Sequence, residues 1–399
     1  MVNVITIDSL EEFIKEIDGL DSTSQEFYYR GEAKDYKETT CFASGYASGK
    51  SQKKLLYMRK DYYRQVGYEL SDDTKVNFIA FCQHHGLKTE LLDISQIPLV
   101  ALYFACLKDE DILSFEYENT DELEDAKMNK DLHGRVFMFE NDKKTFFELD
   151  DSLISPNLEN QMIDMDSEFA KSLNNIQSSG IFFDKNDTLY RIFYRKDHYN
   201  TNKMFFDEWS AKLYDFLIDT VDKIKDSGLE HEKTTMKLIS LFKDVNKTIL
   251  EDSDRSEKPY SDSKLRKFIN KNYNFTSVEN YAVSHCMEYA EEFLKLLILS
   301  YGFFMDMQTL KIENPPEFPF PILIHRPSVI FDRMINQQGI FVYQMKLGNK
   351  VQKMKPFRTF IIPDDRKKSI IQQLNRIGIN QKFIYPDADN IAQYINNKN

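Results

Sequence analysis

The first segment whose residue types could do chemistry is Phe27-Tyr28-Tyr29-Arg30-Gly31, an aromatic run that ends in arginine and glycine. Arginine offers several fixed hydrogen-bond donors and a permanent charge, so Arg30 could anchor an anion or a ribose. Gly31 lacks a Cβ and would let a ligand approach the backbone closely. The alternative is an ordinary strand end with a surface arginine, and the tripeptide alone favours it because such strings are common.

A denser polar block runs from Gln83 to Ser95 between two apolar runs. Polar residues between core elements usually line a pocket or cap helices. Within the block, His84 could act as a base, an orienting donor or a ligand. Asp93 and Ser95 could instead cap the helix that is expected after Pro98. Both interpretations stay open on the sequence alone.

The third segment runs from Arg333 to Phe341, where two neighbouring amides, Gln337 and Gln338, come directly before an expected strand. Amide side chains can donate to, and accept from, a bound amide or ribose. The alternative is a helix end with polar caps and Gly339 as the C-cap. Taken alone, this segment is a weak indication of a site.

Composition and charge limit the class of protein. The 399 residues carry 52 Lys or Arg and 64 Asp or Glu, and the formal charge of −12 argues against a general nucleic-acid coat. Only 13 glycines are present, which argues against a glycine-rich phosphate loop. The start of the chain has no signal-peptide pattern, and the apolar run from Leu296 to Met305 is short for a membrane span. We therefore expect a cytoplasmic protein with no membrane partner.

The four cysteines show no CxxC spacing and are expected to be reduced thiols, mostly in the core. A metal site built from Cys82, His84 and His85 would lack a usual ligand spacing and a paired second cluster. No metal is therefore expected.

Hydrophobic periodicity predicts strands and helices in alternation along the chain. Strands are expected at Val2–Ile7, Glu26–Tyr29, Arg135–Phe139, Ile322–Ile324, Ile340–Tyr343 and Arg358–Ile362. Helices are expected over 52–84 and 278–303, and residues 96–107 are expected to form a compact apolar helix or a buried segment. Further helices are expected after the capping residue Ser9 and after Asp364 or Asp365. These elements divide the chain into a first core part (1–149), a helical insertion (150–275) and a second core part with a basic C-terminal region (276–399).

Taken together, the three polar segments resemble the FRG-domain family, which is named for a Phe-Arg-Gly motif. Tyr29-Arg30-Gly31 stands in the place of that motif. The family's central block is similar to Gln83-His84-x-Gly86-Leu87-x-Thr89-x-Leu91-Leu92-Asp93, and its late block is similar to Arg333-x-x-x-Gln337-Gln338-Gly339-x-Phe341. His85, Lys88, Glu90 and Ile94 depart from the family's usual Tyr, Pro, Arg and Trp. The resemblance leaves out the helical insertion.

The family's first motif is similar to that of ADP-ribosyltransferases, in which Arg or His followed by Gly holds NAD. The resemblance implies NAD as a substrate, with Arg30 on the adenosine ribose or phosphates and the Gly31 backbone on the nicotinamide amide. Gln338 would occupy the place of the usual catalytic Glu. Because an amide cannot balance an oxocarbenium charge, Asp93 is the first choice for the acid. The expected catalytic residues are Arg30, His84, Asp93 and Gln338, and the expected NAD-binding residues are Tyr29, Arg30, Gly31, Gln83, Thr89, Ser95 and Gln337.

With this resemblance, we expect an α+β fold: a small, strongly curved mixed sheet of ADP-ribosyltransferase-like type with a large helical insertion. FRG domains occur in bacterial and phage-related proteins, including toxin and defence contexts. The expected function is an NAD-dependent ADP-ribosyltransferase that acts as a toxin or anti-phage effector on a macromolecular acceptor, with an antitoxin or regulatory protein as a further partner. The alternatives are a non-catalytic nucleotide-binding or phage-sensing module, and a hydrolase or nuclease that uses His84 with Asp93.

Charge is distributed unevenly along the chain. From Ile324 to Asn399 there are thirteen Lys or Arg and five acids. A basic surface beside an NAD site would attract RNA or DNA as the acceptor, with a protein acceptor as the second choice. The alternative is that these side chains balance the acidic segment 108–131. The residues concerned are Lys346, Lys350, Lys353, Lys355 and Arg358.

Overall fold

The fold is given by a computed structural model that describes residues 3–19, 26–107, 132–142, 144–149, 165–179, 189, 193, 199–251, 286–327 and 331–398. Three features expected from the sequence lie outside these residues: the acidic segment 108–131, the start of the helix over 278–303, and the domain boundaries near 150 and 275.

The strands of the described residues form one large sheet and one small hairpin. They are β1 (Asn3–Thr6), β2 (Phe27–Glu32), β3 (Leu91–Ser95), β4 (Gly134–Glu140), β5 (Phe146–Leu149), β6 (Ile322–His325), β7 (Gly339–Tyr343), β8 (Lys346–Leu347), β9 (Lys350–Val351) and β10 (Arg358–Ile362). Eight of them make a sheet in the order β1-β10-β4-β2-β3-β7-β6-β5, and β8 pairs with β9. The pairs β1–β10 and β5–β6 are parallel and the others are antiparallel. The sheet is therefore mixed, which confirms an α+β fold.

Helices follow the strands in two groups. Those of the first part of the chain are α1 (Leu10–Asp18), α2 (Ser44–Ala47), α3 (Gln52–Val66), α4 (Asp72–Val76), α5 (Phe78–His84) and α6 (Pro98–Ala105). The later ones are α7 (Met165–Ser179), α8 (Tyr199–Asp226), α9 (Lys233–Glu251), α10 (Cys286–Leu310), α11 (Asp332–Gln337), α12 (Asp364–Arg376), α13 (Gln381–Ile384) and α14 (Ala388–Lys398).

The two faces of the sheet carry separate hydrophobic cores, because successive strand residues point to opposite sides. On one face Tyr29, Val136 and Phe360 pack with residues of α1, α6 and α12. On the other face Tyr28 and Phe137 belong to a larger core that includes α8 and α10. Helix α10 packs against α7, α8 and α9, so the helices of the expected insertion form a bundle around it.

One window of the described helices, Phe293–Leu310 in α10, is long and apolar enough to cross a membrane by length and composition. Of this window, 72% is buried inside the protein, as in the core helix of a bundle. The expectation of a cytoplasmic protein without a membrane partner stays a prediction.

Most of the elements expected from periodicity are present, and Ser9 is confirmed as a helix cap, although the reciprocal bond of Glu12 goes to the residue before it. Ser9 Oγ accepts from the N–H of Glu12 at 3.1 Å, and the Glu12 carboxylate accepts from the N–H of Asp8 at 2.8 Å. The helical region expected over 52–84 is present as three helices, because the first ends before Gly67 and two shorter ones follow. The second strand, expected to end at Arg30-Gly31, continues one residue further, to Glu32.

Cys41, Cys82 and Cys106 are buried free thiols, as expected. Burial raises the pKa of Cys82 and of Cys106 to about 12. These thiols are therefore core residues and not nucleophiles at neutral pH.

Candidate functional site

The sheet opens between β2 and β3. These two strands are paired only at Tyr29 and Ser95, although both continue beyond that point. On its other side β2 pairs with β4 over its whole length. The N–H of Asn141 donates to Glu26 at 2.9 Å, which fixes the alternation of the antiparallel ladder. By this alternation the N–H and C=O of Gly31 point away from β4, into the opening.

Arg30 spans this opening. Its Nε donates to Glu32 Oε1 at 3.0 Å, and its Nη1 donates to the backbone carbonyl of Asp93 at 2.9 Å. The arginine side chain remains 21% exposed, whereas that of Glu32 is 3% exposed. Burial alone would lower the pKa of Arg30, but Glu32, Cys41 and Asp93 raise it, and the net shift is upward. The guanidinium is thus a fixed cation at the edge of the opening.

Gln83, at the end of α5, organises the opposite wall of the opening. Its Nε2 donates to Asp93 Oδ2 at 2.7 Å, and its Oε1 accepts from Thr89 Oγ1 at 2.5 Å. Thr89 Oγ1 in turn accepts from the N–H of Leu91 at 3.1 Å. The chain Thr89–Gln83–Asp93 therefore holds an exposed carboxylate beside the point where Arg30 reaches the Asp93 backbone.

Asp93 does not cap a helix, so the capping alternative is wrong for this residue. It lies in β3 opposite Phe341 of β7. Ser95 Oγ, by contrast, accepts from the N–H of Ile97 at 2.9 Å, just before α6 begins, and donates to the carbonyl of Gln337 at 2.6 Å. Both of these Ser95 contacts are structural.

The FRG domain family model matches residues 25–112. The match supports the FRG-domain family for this part of the chain, which we call the FRG segment. It contains Arg30, Gln83, Thr89 and Asp93 and ends before the late motif with Gln338. No curated protein and no solved structure matches the chain.

Gly31 of the FRG segment has a packing role that the sequence did not reveal. A Cβ at this position would lie 1.8 Å from the backbone oxygen of Ala101 in α6. The glycine is required because the helix backbone crosses β2 there, and this contact lies on the face of β2 that carries Tyr29. The expectation that the missing side chain makes room for a ligand is wrong, whereas the N–H and C=O of Gly31 still point into the opening.

Gln337 and Gln338 are placed differently from each other. Gln337 Nε2 donates to the carbonyl of Ile384 at 2.9 Å and thereby ties α11 to α13. Gln338 is exposed and adopts a left-handed conformation with φ of 43°, and its carbonyl accepts from the N–H of Gln96 at 3.2 Å. Gly339 already begins β7, so the interpretation of Gly339 as the C-cap is wrong, and Gln338 takes that position.

His84 and Tyr29 contact aromatic and helical neighbours. The His84 ring stacks on Phe331 with ring centres 4.5 Å apart. Burial, together with His85 and Arg333, lowers the pKa of His84. Tyr29 is buried against α6, and burial raises its pKa to about 12. The structure therefore brings together Arg30, Gly31, Gln83, Thr89 and Asp93.

Glu32 is the member of this group that the sequence reasoning missed. Its Oε1 accepts from both Arg30 Nε and the N–H of Cys41, at 3.0 and 2.9 Å. A signal existed in the sequence, because residues two apart in a strand point to the same face and Arg30 and Glu32 have opposite charges. Within the described residues, no group of three or more His, Cys, Asp or Glu could hold a metal ion.

Proposed function

We propose that the chain is an NAD-dependent ADP-ribosyltransferase whose reaction takes place at the opening between β2 and β3. The observation that carries the proposal is the meeting of a fixed cation and an exposed carboxylate at one gap in the sheet. Arg30 donates to the Asp93 backbone there, and Gln83 holds the Asp93 side chain. The similarity of the FRG first motif to that of ADP-ribosyltransferases supports NAD as the ligand, and an ADP-ribosyltransferase-like sheet is part of this proposal.

The chemistry requires a negative group close to the anomeric carbon of the nicotinamide ribose. The bond between nicotinamide and ribose breaks, the nicotinamide leaves with the bonding electron pair, and positive charge develops on the ribose. Asp93 would stabilise that charge, and Arg30 would bind the pyrophosphate or adenosine ribose. The acceptor nucleophile then bonds to the ribose carbon and loses its proton.

The Gly31 backbone and Gln83 have supporting roles in this proposal. The N–H and C=O of Gly31 would pair with the nicotinamide carboxamide, which offers one acceptor and two donors. Gln83 acts through Asp93 and is a positioning residue. Gln338 lies at the start of β7, where its amide would hydrogen-bond a ribose but could not replace a carboxylate.

The occurrence of FRG domains in toxin and defence proteins supports an effector that modifies a macromolecular acceptor. An antitoxin or regulatory protein would then keep the activity in check. A cytoplasmic location agrees with an NAD substrate and is part of the same proposal.

The test is the release of free nicotinamide from NAD by the full-length protein, with and without cell extract as a source of acceptor. We expect release that depends on extract, and label from [³²P]NAD on a macromolecule. Asp93→Asn keeps an acceptor for Gln83 but removes the charge, so it should abolish turnover while NAD still binds. The matched control is Arg135→Lys. Arg135 lies on the neighbouring strand β4 and forms an ion pair with Asp35, and its substitution should leave turnover unchanged. Full activity of Asp93→Asn would contradict the proposal.

The second candidate is a non-catalytic nucleotide-binding module that senses a phage component. It is favoured by one observation: the late-motif position carries Gln338 and not an acid. The same assay separates the two functions, because a sensor binds NAD or a related nucleotide through Arg30 without releasing nicotinamide under any condition.

A further inference from the structure

A basic face lies next to the FRG segment's opening and combines two parts of the chain that are far apart in sequence. We define it as Lys346, Lys350, Lys353 and Lys355 at the β8–β9 hairpin, together with Lys50, Lys53 and Lys54 at the start of α3. Sequence reasoning found the first four of these lysines together with Arg358, but could not join them to the last three. Arg358 does not belong to this face, because it pairs with Glu16 at 3.3 Å.

Buried amides fix the hairpin against the segment that leads into α3. Gln344 Oε1 accepts from the N–H of Ala43 at 2.7 Å, and Gln344 Nε2 donates to the carbonyl of Cys41 at 2.8 Å. Gln352, also fully buried, donates to the carbonyl of Pro321 at 2.6 Å. Because these amides satisfy backbone groups in the interior, the hairpin is held in one position.

Aromatic rings hold two of the lysines in place. The Lys346 ammonium lies 5.9 Å from the ring centre of Tyr46, and that of Lys353 lies 5.1 Å from the ring centre of Phe42. A cation over a ring is attracted to the negative ring face. These contacts tie the hairpin lysines to the segment before α3, and leave their charge available to a partner.

Helix α3 adds an exposed aromatic ring between cations. Its buried side faces the core through Gln52, whose amide donates to Tyr343 Oη at 3.5 Å. On its exposed side Tyr57 is 52% exposed and lies four and three residues after Lys53 and Lys54, which is neighbouring distance on a helix surface. An exposed ring among ammonium groups suits the stacking of an unpaired base.

The described residues around the basic face do not pair with its lysines. Within the described part of the chain, none of the seven lysines forms a salt bridge. Two acids of the FRG segment are engaged elsewhere: Glu90 pairs with Arg59 in the interior, and Asp35 pairs with Arg135. Unpaired cations fixed on one face of a chain of net charge −12 favour a polyanion as the partner.

We propose that this basic face binds single-stranded nucleic acid, with the lysines on the phosphates and Tyr57 stacked on a base. A strand bound there would pass close to Arg30. Cys41 links the two regions, because its N–H donates to Glu32, the partner of Arg30, at 2.9 Å, and its carbonyl accepts from Gln344, just before the hairpin, at 2.8 Å. The proposal goes beyond ADP-ribosyl transfer and stands without it, because binding is measured with no NAD present.

The experiment uses the full chain and a fluorescent oligothymidine, with affinity measured by anisotropy over a range of KCl concentrations. Log affinity should fall linearly with log salt. Removing three phosphate contacts should reduce the slope by about two for a single strand. The hairpin variant carries Lys350, Lys353 and Lys355→Gln, the α3 variant Lys50, Lys53 and Lys54→Gln, and the matched control Lys225, Lys237 and Lys243→Gln on exposed sides of α8 and α9.

Both variants of the basic face should show the reduced slope, and the control should not. If either variant keeps the wild-type slope, or the control loses as much, the face as defined does not exist. A second pair of variants separates stacking from charge. Tyr57→Ala should weaken binding about tenfold without changing the slope, whereas Tyr68→Ala, which removes an 80% exposed ring beyond α3, should not.

Two further probes decide between partner classes. A duplex of the same length offers phosphates but no unpaired bases, and we expect it to bind more weakly than the single strand. A fluorescent polyglutamate peptide offers charge alone and should bind weakest at physiological salt. Equal binding of the duplex would overturn the assignment of a single strand, and equal binding of polyglutamate would show that the face takes acidic proteins.

Discussion

The guanidinium of Arg30 donates through Nη1 to the backbone carbonyl of Asp93 at 2.9 Å, across the place where β2 and β3 have stopped pairing. This side-chain hydrogen bond stands where a backbone hydrogen bond between the two strands would otherwise lie. The two strands stay connected through this bond, while the N–H and C=O of Gly31 still point into the opening. Arg30, which we propose as the ligand for the anionic part of NAD, is thus also a structural link between β2 and β3.

This dual role gives the first prediction. Arg30→Ala should weaken NAD binding, because it removes a charged donor set that contributes about 1.5–3 kcal/mol. It should also lower the free energy of unfolding, by about 1–3 kcal/mol, because Glu32 would be left buried without its cation. Calorimetric titration with NAD and urea unfolding measure the two effects. Arg30→Lys should keep most of the stability but little of the affinity, since lysine lacks the planar fork.

The lysine variant provides the result that would contradict this first prediction. If Arg30→Lys binds NAD like the wild type, the planar donor set does not contact the ligand. If Arg30→Ala is too unstable to isolate, the lysine variant still provides the test.

The second prediction concerns Gly31. Gly31→Ala would bring a Cβ to 1.8 Å from the Ala101 oxygen, and both groups are held by the backbone of regular elements. Overpacking of this kind costs about 1–3 kcal/mol or more. Gly339→Ala is the matched control, because the nearest atom there would lie 4.0 Å away, and it should change stability by about 0.5 kcal/mol or less. Urea unfolding of the two variants checks the difference, and equal stabilities would mean that α6 can move away from β2.

Gly31 also shows where sequence reasoning reaches its limit. The pattern of apolar residues predicted β2, β4, β6, β7 and β10, because these strands are buried and rich in apolar side chains. It missed β3, since Asp93 and Ser95 interrupt the apolar run and were interpreted as pocket-lining or capping residues. That three polar segments belong together could be predicted from the resemblance. The sequence could not show that Gly31 packs against a helix, because the crossing of α6 over β2 is a tertiary feature.

A second group that the sequence reasoning missed is the buried ion pair of Arg59 and Glu90. Arg59 is 2% exposed and Glu90 is fully buried, with Tyr343 Oη donating to Glu90 at 3.3 Å. The helical spacing of Gln52, Leu55 and Arg59 places all three on the buried side of α3, and this spacing indicates that Arg59 is buried. A charged residue on such a stripe is usually expected at the surface.

This pair gives the third prediction. Arg59→Met should lower the free energy of unfolding by about 3–5 kcal/mol, because a buried carboxylate loses its partner. The double variant Arg59→Met with Glu90→Gln should recover part of that loss. The control is Arg64→Met, which breaks an exposed ion pair with Asp61 and should cost less than about 1 kcal/mol. Chemical unfolding measures all three, and additive losses in the double variant would show that the two residues are not coupled.

The fourth prediction is a pH dependence due to His325, which lies in β6 and packs on Phe341. Burial lowers the pKa of His325 to about 4. In the unfolded chain the imidazole takes up a proton near pH 6.5, whereas the folded protein resists protonation until about pH 4. The free energy of unfolding is therefore unaffected by His325 above pH 6.5. As the pH falls from 6.5 towards 4, His325 lowers it by about 3 kcal/mol in total.

The measurement for His325 is the free energy of unfolding of wild type and His325→Phe across this pH range. Phenylalanine keeps the ring contact and removes the titration. The difference between the two proteins should be constant above pH 6.5 and should shift in favour of the variant at lower pH. A constant difference down to pH 4 would mean that the folded protein admits the protonated imidazole.

The fifth prediction concerns Gln83, whose amide joins Thr89 to the Asp93 carboxylate. Gln83→Met keeps the length of the side chain but releases Asp93, and a misplacement of about 1 Å near a reacting centre can cost about a hundredfold in rate. Under the proposed ADP-ribosyl transfer, kcat for nicotinamide release should fall by that order, while KM for NAD stays near the wild-type value because Arg30 and its contacts remain. Thr89→Val removes the hydrogen bond from Thr89 to Gln83 and should lower kcat to a smaller extent. A rise in KM at constant kcat would mean instead that Gln83 contacts NAD directly, and unchanged kinetics would mean that Gln83 does not position Asp93 for the reaction.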